Sequence, residues 1–142
     1  MKKLDSNFNF KLSFYEPEYI VDEENKEVWC TLCYRLNLDG NSKLANAIKR
    51  ISELYLNDNY NAICNEFSST TVARPHPEDE FDKEVGMKVA RAKSEVYAYK
   101  YMSKLLKKLS NVFTEDLNNM VKSFSEKEQN VVESNTKYIA KF

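Results

Sequence analysis

TTVARPHPEDEFDKEVG, residues 70–86, marks the point at which this chain changes from strand to helix. The β-branched run at residues 70–72 is typical of a strand. Pro75 and Pro77 cannot donate ladder hydrogen bonds, so the strand is expected to end at this pair. The acidic residues that follow suit the first turn of a helix, because the helix dipole favours negative charge there. The stretch therefore predicts a sheet before it and a long helix after it.

Two earlier segments, residues 8–14 and 27–37, alternate apolar and polar side chains, which indicates two half-buried strands. A short additional strand is expected near Tyr19. In the second segment, Trp29 and Arg35 fall on the outer, partly exposed face. The inner face is expected to carry Val28, Cys30, Leu32, Tyr34 and Leu36.

Helical spacing appears in three other segments of the sequence. Ser42 is a good N-cap for a helix that ends near Leu56. A second helix is expected over residues 78–112, and a third from the N-cap residue Thr114 to about Val132. In the first helix the apolar stripe is Leu44, Ala47, Ile48, Ile51, Leu54 and Tyr55. In the second it is Val85, Val89, Ala92, Val96 and Tyr99, continued by Met102, Leu105, Leu106 and Leu109.

These elements, with a third long strand over residues 62–74, predict an α+β fold in a single domain, 1–142. A small antiparallel sheet of three or four strands and one helix make up residues 1–74, and residues 75–142 are mainly helical. A helix of about 30 residues would be ~45 Å long at 1.5 Å per residue, which is more than one small domain can cover. The sequence therefore predicts a homo-oligomer, a dimer or higher, that uses the long C-terminal helix.

The amino-acid composition argues against several classes of function. The net charge is −1, so binding of duplex nucleic acid is unlikely without a local basic patch. Only 2 of 142 residues are Gly, and no phosphate-cradling loop motif is present. The sequence has no apolar run long enough to span a membrane, and three Cys fit free thiols in the cytoplasm.

The residues that could act in catalysis or metal binding are more simply interpreted as structural residues. Cys30 and Cys33 form a C-x-x-C motif, but an offset of three in a strand places them on opposite faces, which argues against a zinc or redox site. The acidic run after Pro77 is a candidate cation site, with a helix first turn as the favoured alternative. His76 as a general base has no adjacent nucleophile. We predict no catalytic group, metal or cofactor, and therefore no enzyme.

Arg74 and Arg91 are the best candidates for binding a ligand. Chain geometry permits both to face a cleft at the strand-to-helix corner, where guanidinium groups could hold phosphate. Phe81, Trp29 and several Tyr could supply a stacking face for a base. Further candidate ligand-binding residues are Lys88, Arg35 and His76. The alternative is that the two arginines pair with Asp79, Asp82 or Glu95. A basic stripe further along the helix is interpreted as a solvated face, with a nucleic-acid contact as the alternative. It comprises Lys100, Lys104, Lys107 and Lys108.

Residues 72–82, followed by Gly86 and the run Val89-Ala-Arg-Ala92, resemble a pattern of small phage and prophage proteins. In that pattern a strand ends in Ala-x-Cys/Pro-x-Pro-x-Asp-x-Phe-Asp and leads to a Gly and an Ala-Arg-Ala helix. The β-then-α layout is also similar to the phage Thoeris anti-defence family. That resemblance implies an oligomeric protein that sequesters cyclic ADP-ribose signals without cleaving them, with Arg on the phosphates and aromatic rings on the base.

Two functional hypotheses follow from the sequence. The first is a phage-type anti-defence protein, in the host cytoplasm, that sequesters a small cyclic nucleotide signal. The second is a protein-interaction module that inhibits a host enzyme or defence complex, through the sheet face around Trp29 or through the long helix.

Overall fold

The computed structural model describes residues 11–37, 42–56, 63 and 65–142. The fold is α+β, as predicted, with a small antiparallel sheet in the N-terminal half and a long C-terminal helix. The elements in chain order are β1 (Lys11–Phe14), β2 (Glu18–Asp22), β3 (Glu27–Asn37), α1 (Ser42–Leu56), β4 (Phe67–Ala73) and α2 (Lys83–Ile139). Some sequence predictions lie outside the described residues: the strand residues Phe8 and Phe10, the start of the third strand at Ala62, and Cys64.

Strand β3 is the centre of the sheet. Strands β1 and β2 pair with successive parts of one edge of β3, and β4 pairs with the other edge, all antiparallel. Phe14 lies opposite Tyr34 and Glu18 opposite Thr31, so three residues of the first edge face two of β3. Pro17, which has no N–H to donate, lies in this irregular stretch. The predicted short strand near Tyr19 is therefore β2.

The inner face of β3 forms much of the core, as the alternation predicted. Val28, Cys30 and Leu32 are fully buried, and Tyr34 is 1% exposed. The outer face carries Trp29 and Arg35, which are exposed. The period-two pattern fixed the orientation of this strand because only one of its faces is covered by α2.

Up to Ala98, helix α2 packs on the sheet through a different stripe from the predicted one, whereas Met102, Leu105 and Leu109 are buried as predicted. Its buried residues are Ala90, Ser94, Ala98, Met102, Leu105 and Leu109. Val85, Val89 and Val96 are 55%, 43% and 51% exposed, so the prediction that they face the core is wrong. Small residues at every fourth position bring the helix close to β3. A Cβ added to Gly86 would lie 2.6 Å from Cγ2 of Val28.

A buried polar network ties the first part of α2 to two strands. The Ser94 hydroxyl donates to the Cys30 carbonyl (3.2 Å) and lies 2.8 Å from the Thr71 hydroxyl. The Thr71 hydroxyl donates to the Ala90 carbonyl at 2.7 Å. Because a buried hydroxyl is costly without a partner, this network specifies the register of α2 on β3 and β4.

Helix α2 is one continuous helix, and the predicted break at Thr114 is wrong. It runs for 57 residues, about 85 Å at 1.5 Å per residue. It starts at Lys83 rather than Glu78, because the Asp82 side chain accepts the N–H groups of Glu84 and Val85. Every residue from Thr114 onward is exposed. No helix within the described ranges is long and apolar enough to cross a membrane.

Helix α1 covers the other end of the core. Ile48, Ile51 and Tyr55 pack against it, as the helical spacing predicted. Leu54, which the same spacing placed on the apolar stripe, is 66% exposed, so that assignment is wrong. The predicted N-cap role of Ser42 and the inward position of Leu44 concern side chains outside the described set.

Candidate functional site

The strand-to-helix corner forms a small cleft that contains three of the predicted ligand-binding residues. A turn in which Asp79 N–H donates to the His76 carbonyl at 2.9 Å connects β4 to the N-cap of α2. Arg74, His76 and Phe81 line a cavity of about 280 Å³. The carboxylates of Asp79, Glu80 and Asp82 line the same cavity. These acids outnumber the cations, so the cleft is a poor site for a phosphate.

The other predicted ligand-binding residues do not reach this cleft. Arg91 pairs with Glu95 at 3.4 Å, which is one of the internal pairings considered from the sequence. Lys88 is exposed on α2, and Arg35 is exposed on the outer face of β3. The structure therefore does not bring Arg91 and Arg74 to one cleft. Positions 89 and 91 of a helix are about 200° apart, and Val89 is the one that lines the corner.

Arg74 pairs with Glu27, which was not among the partners considered from the sequence. Arg74 Nε lies 2.8 Å from Glu27 Oε1, and the other oxygen of Glu27 accepts the Trp29 indole N–H at 3.1 Å. One carboxylate thus orients both a guanidinium and an aromatic ring. The pair is partly exposed, with 58% of the Arg74 side chain accessible.

Trp29 and Arg74 belong to a second, larger cavity, which we call the β4–α2 groove. The groove lies beside one flank of α2, along the edge of β4 that pairs with no described strand and is called its free edge below. Its volume is about 830 Å³. Its lining comprises Trp29, Ser69, Thr70, Thr71, Val72, Arg74, Val89, Ala92, Lys93, Val96, Tyr97 and Lys100. Val89 and Val96, two of the three valines that were wrongly predicted to face the core, are thus part of its wall, whereas Val85 lines the corner cleft.

The free edge of β4 provides polar backbone groups to the groove. Lys93 Nζ donates to the Val72 carbonyl at 3.0 Å, so this carbonyl points away from β3. Backbone groups alternate in direction along an antiparallel strand. Thr70, two residues earlier, therefore also presents its N–H and C=O toward the groove. Its hydroxyl lies 3.0 Å from the Thr31 hydroxyl on the outer sheet face.

The charge of the β4–α2 groove contrasts with that of the corner cleft. Three cations, Arg74, Lys93 and Lys100, line it, and its described lining includes no Asp, Glu, His or Cys. Glu27 offsets the charge of Arg74 from outside the lining. Two aromatic side chains are accessible beside these cations: Trp29 is 36% exposed and Tyr97 58%. Cations, hydroxyls and aromatic faces together suit an anionic ligand with a flat ring.

The cysteines are placed as the strand geometry predicted. Cys30 lies on the inner face of β3 and is buried, Cys33 lies on the outer face, and both are free thiols. Burial raises the pKa of the Cys30 thiol, which lowers its reactivity. Within the described ranges, no cluster of His, Cys, Asp and Glu side chains is arranged to hold a metal ion.

Several groove residues were missed as site residues in the sequence. Trp29 was a candidate for stacking on a base, but Glu27 was not considered, although their two-residue spacing puts both on one face of a strand. Lys93, Tyr97 and Lys100 follow helical spacing, but Lys100 was interpreted as part of a solvated stripe. What no sequence pattern revealed is that this flank of α2 lies beside the edge of β4.

No family model, curated protein or solved structure gives a significant match to this chain. The resemblance of residues 72–92 to phage proteins therefore stays a prediction.

Proposed function

We propose that the protein binds a small anionic ligand of the nucleotide class in the β4–α2 groove and sequesters it without breaking a bond. The observation that carries the proposal is the lining of the groove. Its described residues include three cations, two accessible aromatic rings and no Asp or Glu, with Glu27 holding Arg74 from outside the lining. The cyclic ADP-ribose class expected from the sequence fits this chemistry, because such molecules combine a base with phosphates. An anti-defence role in the cytoplasm of a phage host is part of the proposal.

The cations would hold the phosphates. Lys93 and Lys100 lie seven residues apart, on the same side of α2, so both ammonium groups face one stretch of the groove. Arg74 lies at the corner end and is fixed by Glu27. A ligand phosphate at this end would compete with Glu27 for the guanidinium.

Trp29 would stack on the base. Its indole N–H is held by Glu27, so the ring is oriented before a ligand binds, which lowers the entropy cost of binding. Stacking of a base on an aromatic side chain contributes about 1–3 kcal/mol. Trp29→Ala is therefore expected to weaken binding about 5- to 150-fold.

Calorimetric titration with cyclic ADP-ribose isomers, linear ADP-ribose and adenosine tests the proposal. Lys93→Ala and Lys100→Ala should weaken binding of the phosphate-containing ligands and flatten its salt dependence. Arg35→Ala is the matched control, because it removes a cation from the same sheet face about 20 Å along the strand from Trp29. Heat denaturation of the complex should release intact ligand.

Two results would overturn this proposal. One is the absence of binding to every cyclic nucleotide tried. The other is an equal loss of affinity in Trp29→Ala and Arg35→Ala, which would mean that general charge or stability, and not the groove, governs binding. Recovery of a cleaved ligand would show that the protein breaks down its ligand and does not sequester it.

The open edge of β4 favours a second candidate function, the capture of an extended segment of another protein. A partner strand could pair with the outward backbone groups at Thr70 and Val72, and its apolar side chains would meet Val89, Ala92 and Val96. This is the interaction-module hypothesis, with the groove as the contact in place of the outer sheet face alone.

Thr70→Pro separates the two candidates. Proline removes only the N–H that points outward, so the β3–β4 ladder is retained. Strand capture predicts loss of partner binding in this variant, and protection from hydrogen exchange at residues 68–72 in the wild-type complex. Nucleotide binding through side chains predicts little change in affinity.

We also infer, as expected from the sequence, that the protein acts as a homo-oligomer. The surface that would join the copies is distinct from the groove.

A further inference from the structure

The second half of α2 extends away from the sheet, and no other part of the chain that the structure describes packs on it. Every residue from Thr114 to Phe142 is exposed. The helical part of this segment ends at Ile139, so it spans about 39 Å at 1.5 Å per residue. Helices in water draw most of their stability from packing of an apolar face, and this one has such a face.

The apolar face follows a seven-residue repeat. Leu117, Phe124, Val131 and Tyr138 are each seven residues apart and are 43%, 71%, 47% and 62% exposed. Their neighbours Met120, Val121, Val132 and Ile139 are also exposed. A strict seven-residue repeat keeps one stripe facing the same neighbour when two helices supercoil left-handedly. The second apolar position of such a repeat is filled here by Met120 and Val121, and further on by the polar residues Lys127 and Ser134.

The same helix shows how such a face is covered nearer the sheet. Phe113 lies seven residues before Met120, and its ring meets Tyr55 of α1 edge-on at 5.7 Å. Helix α1 ends at Leu56, and none of the described residues covers the stripe beyond Phe113. Another helix is needed to continue it.

We propose that residues 114–142 pair antiparallel with the same segment of a second copy, about a two-fold axis beside Lys127 and Glu128. The repeat is symmetric about this midpoint. Leu117 and Tyr138 lie equally far from it, and so do Phe124 and Val131. A two-fold axis at this point would therefore place Leu117 opposite Tyr138 of the partner subunit and Phe124 opposite the partner's Val131.

The charges of the segment select the antiparallel orientation. Near the axis, Lys127 would lie beside Glu128 of the partner subunit. At the ends, the acidic pair Glu115 and Asp116 would lie beside the partner's Lys141. A parallel pair in register would instead place like charges at the same height, which is unfavourable.

The helix dipole does not account for the acidic pair at the start of this segment. Helix α2 begins at Lys83, so Glu115 and Asp116 lie in its interior. Their position is explained by a basic partner end, which the antiparallel arrangement provides through Lys137 and Lys141 of the partner subunit.

Light scattering on the full-length protein, coupled to size exclusion, tests the pairing. We expect twice the 16.6 kDa chain mass. Phe124→Glu should raise the dissociation constant of the dimer at least about a hundredfold, since it places a charge in the apolar contact. Asn119→Glu is the matched control, because it adds the same charge away from the stripe and should leave the dimer intact.

Zero-length cross-linking between amines and carboxylates tests the orientation. Residues 115 and 141 of one chain are about 39 Å apart along the helix. A cross-link between Lys141 and Glu115 or Asp116 can therefore form only between two antiparallel copies. Mixed isotope-labelled and unlabelled chains confirm that the link is intermolecular.

A monomer at all concentrations would overturn the proposal, and so would a dimer that Phe124→Glu leaves unchanged. A dimer that gives no end-to-end cross-link would refute the antiparallel orientation. None of these outcomes depends on whether the β4–α2 groove binds a nucleotide.

Discussion

The two halves of α2 belong to one continuous helix, but their apolar side chains pack differently. Up to Leu109, the buried stripe begins with small residues, Ala90, Ser94 and Ala98, which bring the helix close against the sheet. Beyond Phe113, the stripe consists of larger side chains that are 43–71% exposed. Small residues at fixed spacing indicate contact with a nearby backbone, whereas large ones at a seven-residue repeat indicate a helix partner.

The first half also shows that the most apolar face of a helix is not always the buried one. Val85, Val89 and Val96 are more apolar than Ala90, Ser94 and Ala98, which are buried. The three valines nevertheless line a cavity or face solvent. The exposure of Val89 and Val96 creates part of the groove wall. The side of a helix that faces the core is set by how closely it approaches, and here only the small side chains allow that approach.

The largest expected effect concerns the continuity of the two halves. Glu115→Pro should cost about 3 kcal/mol and reduce helix content, because proline in a helix interior removes a hydrogen bond and clashes with the preceding turn. Circular dichroism and hydrogen exchange at residues 111–125 measure this, at one fixed protein concentration. Glu115→Ala controls for the lost charge.

The opposite result would restore the helix break predicted from the sequence. If a separate helix started at Thr114, residue 115 would be its first position, where proline is favoured. Glu115→Pro would then be neutral or stabilising, and the comparison between two halves of one helix would fail.

A smaller effect is expected at the close contact in the first half. In most helix interiors, Gly→Ala stabilises by about 1 kcal/mol. Gly86→Ala should instead destabilise by about 1–3 kcal/mol, because the new Cβ would lie 2.6 Å from Val28 Cγ2. Chemical denaturation measures the change.

Val28→Ala provides the matched test of this contact. It removes the methyl groups that the new Cβ would meet. The double variant should therefore be more stable than the sum of the two single changes by at least about 1 kcal/mol. Simple additivity would show that the two residues do not touch.

The smallest effect is expected from the buried network. Ser94→Ala should cost about 1–2 kcal/mol, because the Cys30 carbonyl loses a donor and the Thr71 hydroxyl loses one of its partners. Ser123→Ala, on the exposed second half, should change the unfolding free energy by less than about 0.5 kcal/mol. Equal effects in the two variants would remove the distinction between the halves.

Only the part of the candidate site whose residues are close in the chain could be predicted from the sequence. The strand-to-helix corner with Arg74, His76 and Phe81 was predictable, because these residues are close in the chain. The β4–α2 groove was not, since it joins Trp29 to Lys93 and Tyr97, which are far apart in sequence. The Arg74–Glu27 pair was missed for the same reason.

The sequence by itself determined the α+β class, the two faces of β3 and the end of β4 near Pro75, because alternation and proline act locally. Only the tertiary structure decided that Ala90, Ser94 and Ala98 form the buried stripe in the first part of α2. It also decided that α2 continues past Thr114 and that the cations of the groove lie close together. These depend on the distance between the helix and the sheet. Gly86, Ala90 and Ser94 set that distance by contacts with β3 and β4 that helical periodicity does not encode.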